Sequence, residues 1–169
     1  MIKMNAPASS PVSVTISAIK TKPLRRDIFE ALALYTLFLI LSGYVGFSSG
    51  LFKFSLTQEW PLFITVAVIA FVIPALFEEI VFRVGLPALL KNQCWADVMA
   101  LTVFIAWHPA QVWFGLPMGQ DTFLHPAFLI IVASLGAICT ISYRRSGSIW
   151  PAVAMHWMTV LIWKGMLAG

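Results

Sequence analysis

The stretch FVIPALFEEIVFRVGLPALL places Glu78, Glu79 and Arg83 at the end of one of the most apolar runs in the chain. Glu79 and Arg83 lie four positions apart, so a helix would place them on one face where they can pair. Glu78 has only apolar residues three and four positions further on. We therefore expect one carboxylate held ionised by a guanidinium, beside a second carboxylate that is free for acid-base chemistry.

Two histidines extend this cluster: His108 in FIAWHPAQVWF and His156 in WPAVAMHWMTVLIW. Counting a rise of 1.5 Å per residue from the basic ends of their predicted helices, Glu78, His108 and His156 lie about 18, 16 and 12 Å deep. Ionisable groups at membrane depth are costly and normally face the bundle interior with a partner. Their convergence on one layer predicts a functional site.

Structural interpretations compete with this one. EEIVFR also fits the cytoplasmic end of a helix whose charged side chains reach the interface, and a lone intramembrane histidine is often a hydrogen-bonded packing residue. His125, in the short LHPAF segment, is expected to be structural. Trp107 and Trp157 are each adjacent in sequence to a histidine. They could belong to the aromatic belts at the membrane interfaces or help to shape the site.

Composition identifies the class of protein. Of 169 residues, 60% are hydrophobic and only 11% charged, with a mean hydropathy of +0.88, whereas a soluble domain has about 25% charged residues. The chain is therefore predicted to be a membrane protein, and its net charge of +4 reports topology and not nucleic-acid binding. Cys94 and Cys139 have no CxxC spacing, and Cys139 is expected to pack as a small apolar residue.

The predicted architecture is all-α, a polytopic transmembrane bundle of about five spans with the N-terminus inside. Runs long enough to span, at about 20 residues each, are predicted at Phe29–Phe47, Pro61–Val84, Trp95–Phe114, Phe128–Ile141 and Ile149–Leu167. Basic residues gather on the cytoplasmic side of short loops, and alternate loops here carry Lys20, Lys22, Arg25, Arg26, Lys91, Arg144 and Arg145. The other side has Lys53 and Lys164 beside Glu59 and Asp121.

Two regions are expected along the chain. Residues 1–26 are rich in Ser, Thr, Pro and Lys and precede Asp27, the first acidic residue, which is typical of a disordered basic cytoplasmic tail, with a transit-type segment as the alternative. Residues 27–169 form the transmembrane helical domain.

Three elements in this order resemble a known pattern. EEIVFR matches EExxxR through Glu78, Glu79 and Arg83, FIAWH matches FxxxH through Phe104 and His108, and His156 occupies the place of a third, histidine-led motif. Over about residues 71–167 the chain resembles the CAAX protease and bacteriocin-processing family of intramembrane proteases.

The resemblance implies a glutamate-dependent peptidase in a multi-pass protein of a bacterial inner membrane. It assigns Glu78 as general base, Glu79 with Arg83 as a structural pair, His108 as the residue that orients the water, and His156 as the oxyanion donor. The implied substrate is a membrane-embedded or lipidated protein or peptide near the cytoplasmic side, with the bilayer as the other partner and no nucleic acid.

One position departs from the pattern: many family members have Asn four residues after the last histidine, and this chain has Val160. Thr159 lies about 100° round the helix from Val160 and is no obvious substitute. The departure motivates a second hypothesis, a catalytically silent member that acts as an immunity or scaffold protein.

Other chemistries use the same residues. No cofactor is expected, although Glu78, His108 and His156 would also make a His₂Glu zinc set. A bis-histidine haem protein would leave the carboxylates and Arg83 unexplained, and a proton-relay transporter ranks lower because the chain has few spans and no apparent internal repeat.

Overall fold

A computed structural model describes residues 10–90 and 92–168, and in them helices dominate. The helices are α1 (Pro11–Lys20), α2 (Arg25–Ser48), α3 (Trp60–Leu89), α4 (Gln93–Trp113), α5 (Pro126–Ser146) and α6 (Trp150–Met166). A short 3₁₀ turn, Asp121–Leu124, precedes α5. Two two-residue strands, β1 (Lys53–Phe54) and β2 (Leu167–Ala168), complete the described chain.

Polar contacts define the two ends of the bundle. At one end β1 pairs antiparallel with β2, Lys53 opposite Ala168, and Lys164 Nζ donates to Gln120 Oε1 at 2.8 Å. We call this the Lys164 end; it holds residues 49–59, 115–125 and 164–168. At the other end Arg144 binds Asp97 at 2.6 Å, and Arg145 pairs with Glu30.

The second end, called the basic end, holds residues 18–30, 92–97 and 144–150. The turn between α5 and α6 lies there, and Gly147 permits it by adopting a φ of 67°, a left-handed conformation that residues with a Cβ avoid. The basic residue Lys91, which contributed to the predicted orientation, lies outside the described residues.

The core is centred on α5, which packs against α2, α4 and α6. Leu135 and Cys139 of α5 are buried, so Cys139 packs as the sequence predicted. Gly136 lets α4 approach closely, because a Cβ there would lie 2.6 Å from Leu101 Cδ1 and 3.0 Å from Phe104 Cδ1. This contact positions Phe104, which lies directly under the site.

Helix α3 changes its winding where the charged motif begins. It is α-helical over Trp60–Ala70, π-helical over Phe71–Glu78 and Ile80–Gly85, and ends in a 3₁₀ turn. Pro74 lies inside the first π-helical stretch; its missing N–H cannot bond to the carbonyl of the preceding turn. Such wide turns are frequently found at functional sites.

The structure differs from the predicted tail over 1–26. Residues 1–9 lie outside the described residues, but Pro11–Lys20 form α1, with Ser10 as N-cap. Helix α1 is held by tertiary contacts: Ala18 is buried, its carbonyl accepts from Ile149 N–H at 3.2 Å, and Ser148 Oγ donates to the Thr21 carbonyl at 2.7 Å. The composition rich in Ser, Thr, Pro and Lys predicted disorder here, and for residues 11–20 contacts with segments distant in sequence stabilise a helix instead.

Three helices within residues 10–90 and 92–168 are long and apolar enough to cross a membrane: Arg25–Ser48, Trp60–Leu89 and Pro126–Ser146. Helices α4 and α6 coincide with the other two predicted spans but are not among these three. The all-α class is confirmed, while the count of five spans and the inside N-terminus stay predictions.

Candidate active site

Glu79 lies at the centre of a fully buried charged cluster. Its Oε2 accepts from Arg83 Nε at 2.9 Å, and neither side chain is exposed (0%). Its Oε1 lies 2.8 Å from His156 Nδ1. The Arg83 guanidinium also lies 4.3 Å above the ring of Phe104. The pair that the spacing of Glu79 and Arg83 predicted is therefore present, and it also anchors a histidine from α6.

Glu78, the neighbouring carboxylate, has different surroundings. Its Oε1 accepts from Trp107 Nε1 at 3.0 Å. Its Oε2 lies 3.9 Å from His156 Nε2 and has no hydrogen-bond partner among the described residues. The two adjacent glutamates thus differ in their contacts: both oxygens of Glu79 contact Arg83 and His156, whereas one oxygen of Glu78 is free to accept a proton.

His108 is held in one orientation by α4 and by aromatic rings. Its Nδ1 lies 2.9 Å from the Phe104 carbonyl, and because a carbonyl can only accept, Nδ1 carries the hydrogen. The rings of Phe104, Phe123 and Phe128 lie 5.0 to 5.6 Å from the imidazole. In the neutral ring Nε2 is then an acceptor, which suits a group that positions a water.

The same reasoning fixes the donor on His156. Its Nδ1 faces the Glu79 carboxylate and therefore donates, so Nε2 donates only when the imidazole is protonated on both nitrogens. An oxyanion-binding role for His156 consequently requires the imidazolium, in which Nε2 also carries a hydrogen.

A cavity of about 340 Å³ joins these groups. Its lining is mostly apolar, with a few polar side chains from four helices and one loop, the usual character of a ligand site: Ser42, Glu78, His108, Gln111, Gln120, His156, Thr159 and Lys164. Val160, where the family pattern has Asn, also lines it. Thr159 is engaged elsewhere, donating to the Met155 carbonyl at 2.8 Å and lying 3.3 Å from the Tyr35 hydroxyl.

The structure distinguishes the roles of the two tryptophans, Trp107 and Trp157, which the sequence could not assign. Trp107 donates to Glu78 and belongs to the site, whereas Trp157 Nε1 donates to the Ala67 carbonyl of α3 at 2.8 Å. His125 caps α5, accepting from Ala127 N–H at 3.2 Å, as its structural assignment predicted. Sequence reasoning did not single out Gln111, which is buried in the cavity wall one helical turn from Trp107 and His108.

The zinc alternative depends on whether three ligands meet at one point. Within residues 10–90 and 92–168 no group of three or more His, Cys, Asp or Glu side chains is placed to hold a metal ion. Glu78, His108 and His156 are therefore not arranged as a three-ligand zinc site.

Comparison with known proteins identifies the family. The family model described as type II CAAX prenyl endopeptidase Rce1-like matches residues 60–162, more than half of the chain, so the protein belongs to this family. The matched region includes the EExxxR glutamates and arginine, FxxxH and His156. No curated protein and no solved structure matches the chain significantly. Family membership and the apolar helices together indicate a membrane protein of the CAAX protease class.

Proposed function

We propose that this protein is an intramembrane endopeptidase that hydrolyses a peptide bond in a membrane-embedded or lipidated protein or peptide, with Glu78 as the general base. The observation that carries the proposal is the difference between the two glutamates: Glu79 is bound to Arg83 and His156, while one oxygen of Glu78 beside the cavity has no hydrogen-bond partner in the part of the chain that the structure describes. Family membership supplies the reaction class.

In the proposed reaction Glu78 Oε2 accepts a proton from a water, and His108 Nε2 accepts a hydrogen bond from the same water. The resulting hydroxide attacks the scissile carbonyl. His156, as imidazolium, donates from Nε2 to the oxyanion, the kind of contact worth about 10²- to 10³-fold in kcat elsewhere. Glu78 then transfers its proton to the leaving amine, which completes the balance.

Trp107 and Arg83 have supporting roles in this scheme. The Trp107 indole N–H fixes one oxygen of Glu78, so that the other points towards His156. Arg83 pairs with Glu79, and Glu79 in turn holds the imidazole of His156 in one orientation. We propose a multi-pass protein of a bacterial inner membrane, a location that the three long apolar helices support.

A catalytically silent, scaffold-type member is the second candidate, and Val160 is the observation that favours it. Its side chain lines the cavity one turn from His156, where an amide would supply a further N–H donor. Losing one such donor slows a protease but does not abolish its activity, so the proposed peptidase remains compatible with Val160.

Comparison of protein C-termini in membrane fractions tests the proposal. Cells that express the wild-type chain should contain C-termini that are absent with Glu78→Gln, because the amide nearly matches the carboxylate in shape but cannot accept the proton. Glu59→Gln is the matched control, since Glu59 is exposed at the start of α3 and lies outside the site. Identical sets of C-termini for wild type and Glu78→Gln would favour the silent candidate.

A further inference from the structure

We infer that the cavity is entered from the Lys164 end, so that the peptide bond to be cleaved reaches Glu78 from the membrane face opposite to Arg144 and Arg145. This inference deepens the proposed function, on which it rests, by naming the side on which the cleaved segment of the substrate lies. It differs from the sequence-based expectation of a site near the cytoplasmic side.

The lining of the cavity gives the direction. From Glu78 and His156 the cavity runs past Gln111 and Thr159 to the Lys164 end, where its outermost lining residues are Phe52, Pro117, Met118, Gln120, Lys164 and Leu167. Five of the lining residues are exposed: Leu39, Ile69, Pro117, Met118 and Lys164. Leu39 and Ile69 lie within the apolar helices α2 and α3, on surfaces that would contact lipid, so Pro117, Met118 and Lys164 mark the opening to water. No described residue of 18–30, 92–97 or 144–150 lines the cavity. Its mouth therefore lies at the Lys164 end.

The basic end is closed by α1. Ala18 packs into an apolar cluster with Ala75, Val84, Ile149 and Val153, directly below the charged motif. Hydrogen bonds fasten the helix on this cluster: Ile149 N–H to Ala18, Ser148 Oγ to Thr21, and Trp150 Nε1 to the Ile19 carbonyl at 2.8 Å. Ile149 and Ser148 are fully buried as a result (0%). A peptide approaching from this side would have to displace α1.

The length of the route fits an extended peptide. Lys164 lies eight residues after His156 on α6, about 12 Å by the rise of an α-helix. An extended chain advances roughly 3.3 Å per residue, so about four residues reach from the mouth to the imidazole. The side-chain amides of Gln111 and Gln120 along this path offer polar groups to a peptide backbone.

Charge assigns the mouth to a side of the membrane. Basic residues gather on the cytoplasmic side of short loops, and Arg25, Arg26, Arg144 and Arg145 lie at the closed end. The open end then faces away from the cytoplasm. The sequence-based count of residues gave only the distance of Glu78 from the basic end, which suggested access from the cytoplasm. The count could not reveal that α1 blocks that end.

Cysteine accessibility tests the inference without a substrate. Native Cys94 is exposed at the basic end and Cys139 is buried, so Cys94 reports that face in every variant. Val160→Cys places a thiol in the cavity, and Val153→Cys is the matched control on the same helix, buried beside α1. Each protein is treated with a membrane-impermeant cationic methanethiosulfonate in sealed vesicles of both orientations, and modification is read by intact mass.

In vesicles whose outer face carries the basic end, we expect the reagent to modify Cys94 and not the cysteine at position 160. In vesicles of the opposite orientation, we expect it to modify the cysteine at position 160 and not Cys94. Val153→Cys should gain no modification at position 153 in either. Modification of Val160→Cys from the Cys94 face, or from neither face, would overturn the inference. If Val160→Cys does not fold, Gln111→Cys supplies a second cavity thiol from α4. Because no cleavage is measured, the result is independent of whether the protein is a peptidase.

Discussion

Glu78 and Glu79 are neighbours in sequence, yet their partners differ. Glu79 is fully buried and binds Arg83 and His156 through separate oxygens. Among the described residues, Glu78 accepts a hydrogen bond only from Trp107. A buried charge without its partner is strongly destabilising, so the two residues should respond differently to substitution.

Glu79→Ala should lower the free energy of unfolding by about 3 to 5 kcal/mol, the usual cost of breaking a buried ion pair, because Arg83 would be left uncompensated. Glu78→Gln should change stability little, since the amide keeps an oxygen that accepts from Trp107. Thermal unfolding of the purified variants in one detergent measures both. Equal destabilisation by the two changes would contradict the separation of roles.

Trp107 and Trp157 provide a matched pair for the support of Glu78. Trp107→Phe removes a hydrogen bond to a charged group, worth about 1.5 to 3 kcal/mol, and should lower kcat by roughly 4- to 13-fold if half of that is expressed in the transition state. Trp157→Phe removes a bond to the Ala67 carbonyl and should leave kcat near the wild-type value. The rates are compared on one substrate identified from the C-terminal comparison; similar kcat values for both variants would remove Trp107 from the mechanism.

At the scale of elements, the helix carrying the motif was easier to predict than its winding. The apolar run and the i, i+4 spacing predicted that Glu79 would face Arg83, and that contact is present. The π-helical turns over Phe71–Glu78 and Ile80–Gly85 leave no periodic signal in composition. Pro74 was the one local indication, because proline disturbs a helix without specifying which distortion follows.

The site itself was predictable in its ionisable residues and not in their connections. Because an ionisable side chain inside a membrane is energetically costly, the sequence indicated Glu78, His108 and His156 as functional candidates. All three line one cavity. That His156 binds Glu79 through Nδ1, that Phe104 lies under Arg83, and that α1 closes one end all depend on how distant segments pack. No spacing within a single helix encodes those contacts.

Packing between α4 and α5 should be sensitive at Gly136. Gly136→Ala places a Cβ 2.6 Å from Leu101 Cδ1 and 3.0 Å from Phe104 Cδ1, and overpacking of this kind typically costs about 1 to 3 kcal/mol. Gly43→Ala is the control, because a Cβ there meets no atom within 4 Å among the described residues apart from its own stretch of helix, and in a helix interior Ala is favoured over Gly by about 1 kcal/mol. Unfolding temperatures should therefore move in opposite directions; a shift of the same sign would show that α4 and α5 are not in close contact at Gly136.

For the whole molecule, the two ends carry the topological information. A reporter enzyme that is active only outside the cytoplasm should give signal when fused at Gly50 or Asp121, in the loops of the Lys164 end, and none at Gln93 or Gly147, near the basic end. The basis is the distribution of Lys and Arg between the ends. Signals in the reverse pattern would invert the orientation and place the mouth of the cavity in the cytoplasm.

The central claim is that this chain itself hydrolyses peptide bonds through Glu78. The most direct measurement uses purified wild-type protein and Glu78→Gln, each reconstituted into vesicles with membrane proteins extracted from cells that lack the chain, in water enriched in ¹⁸O. New C-termini that carry ¹⁸O should form with the wild type and fall by about 10²- to 10⁴-fold with Glu78→Gln, the usual contribution of a general base. New ¹⁸O-labelled C-termini at equal rates with both proteins, or with neither, would contradict the claim.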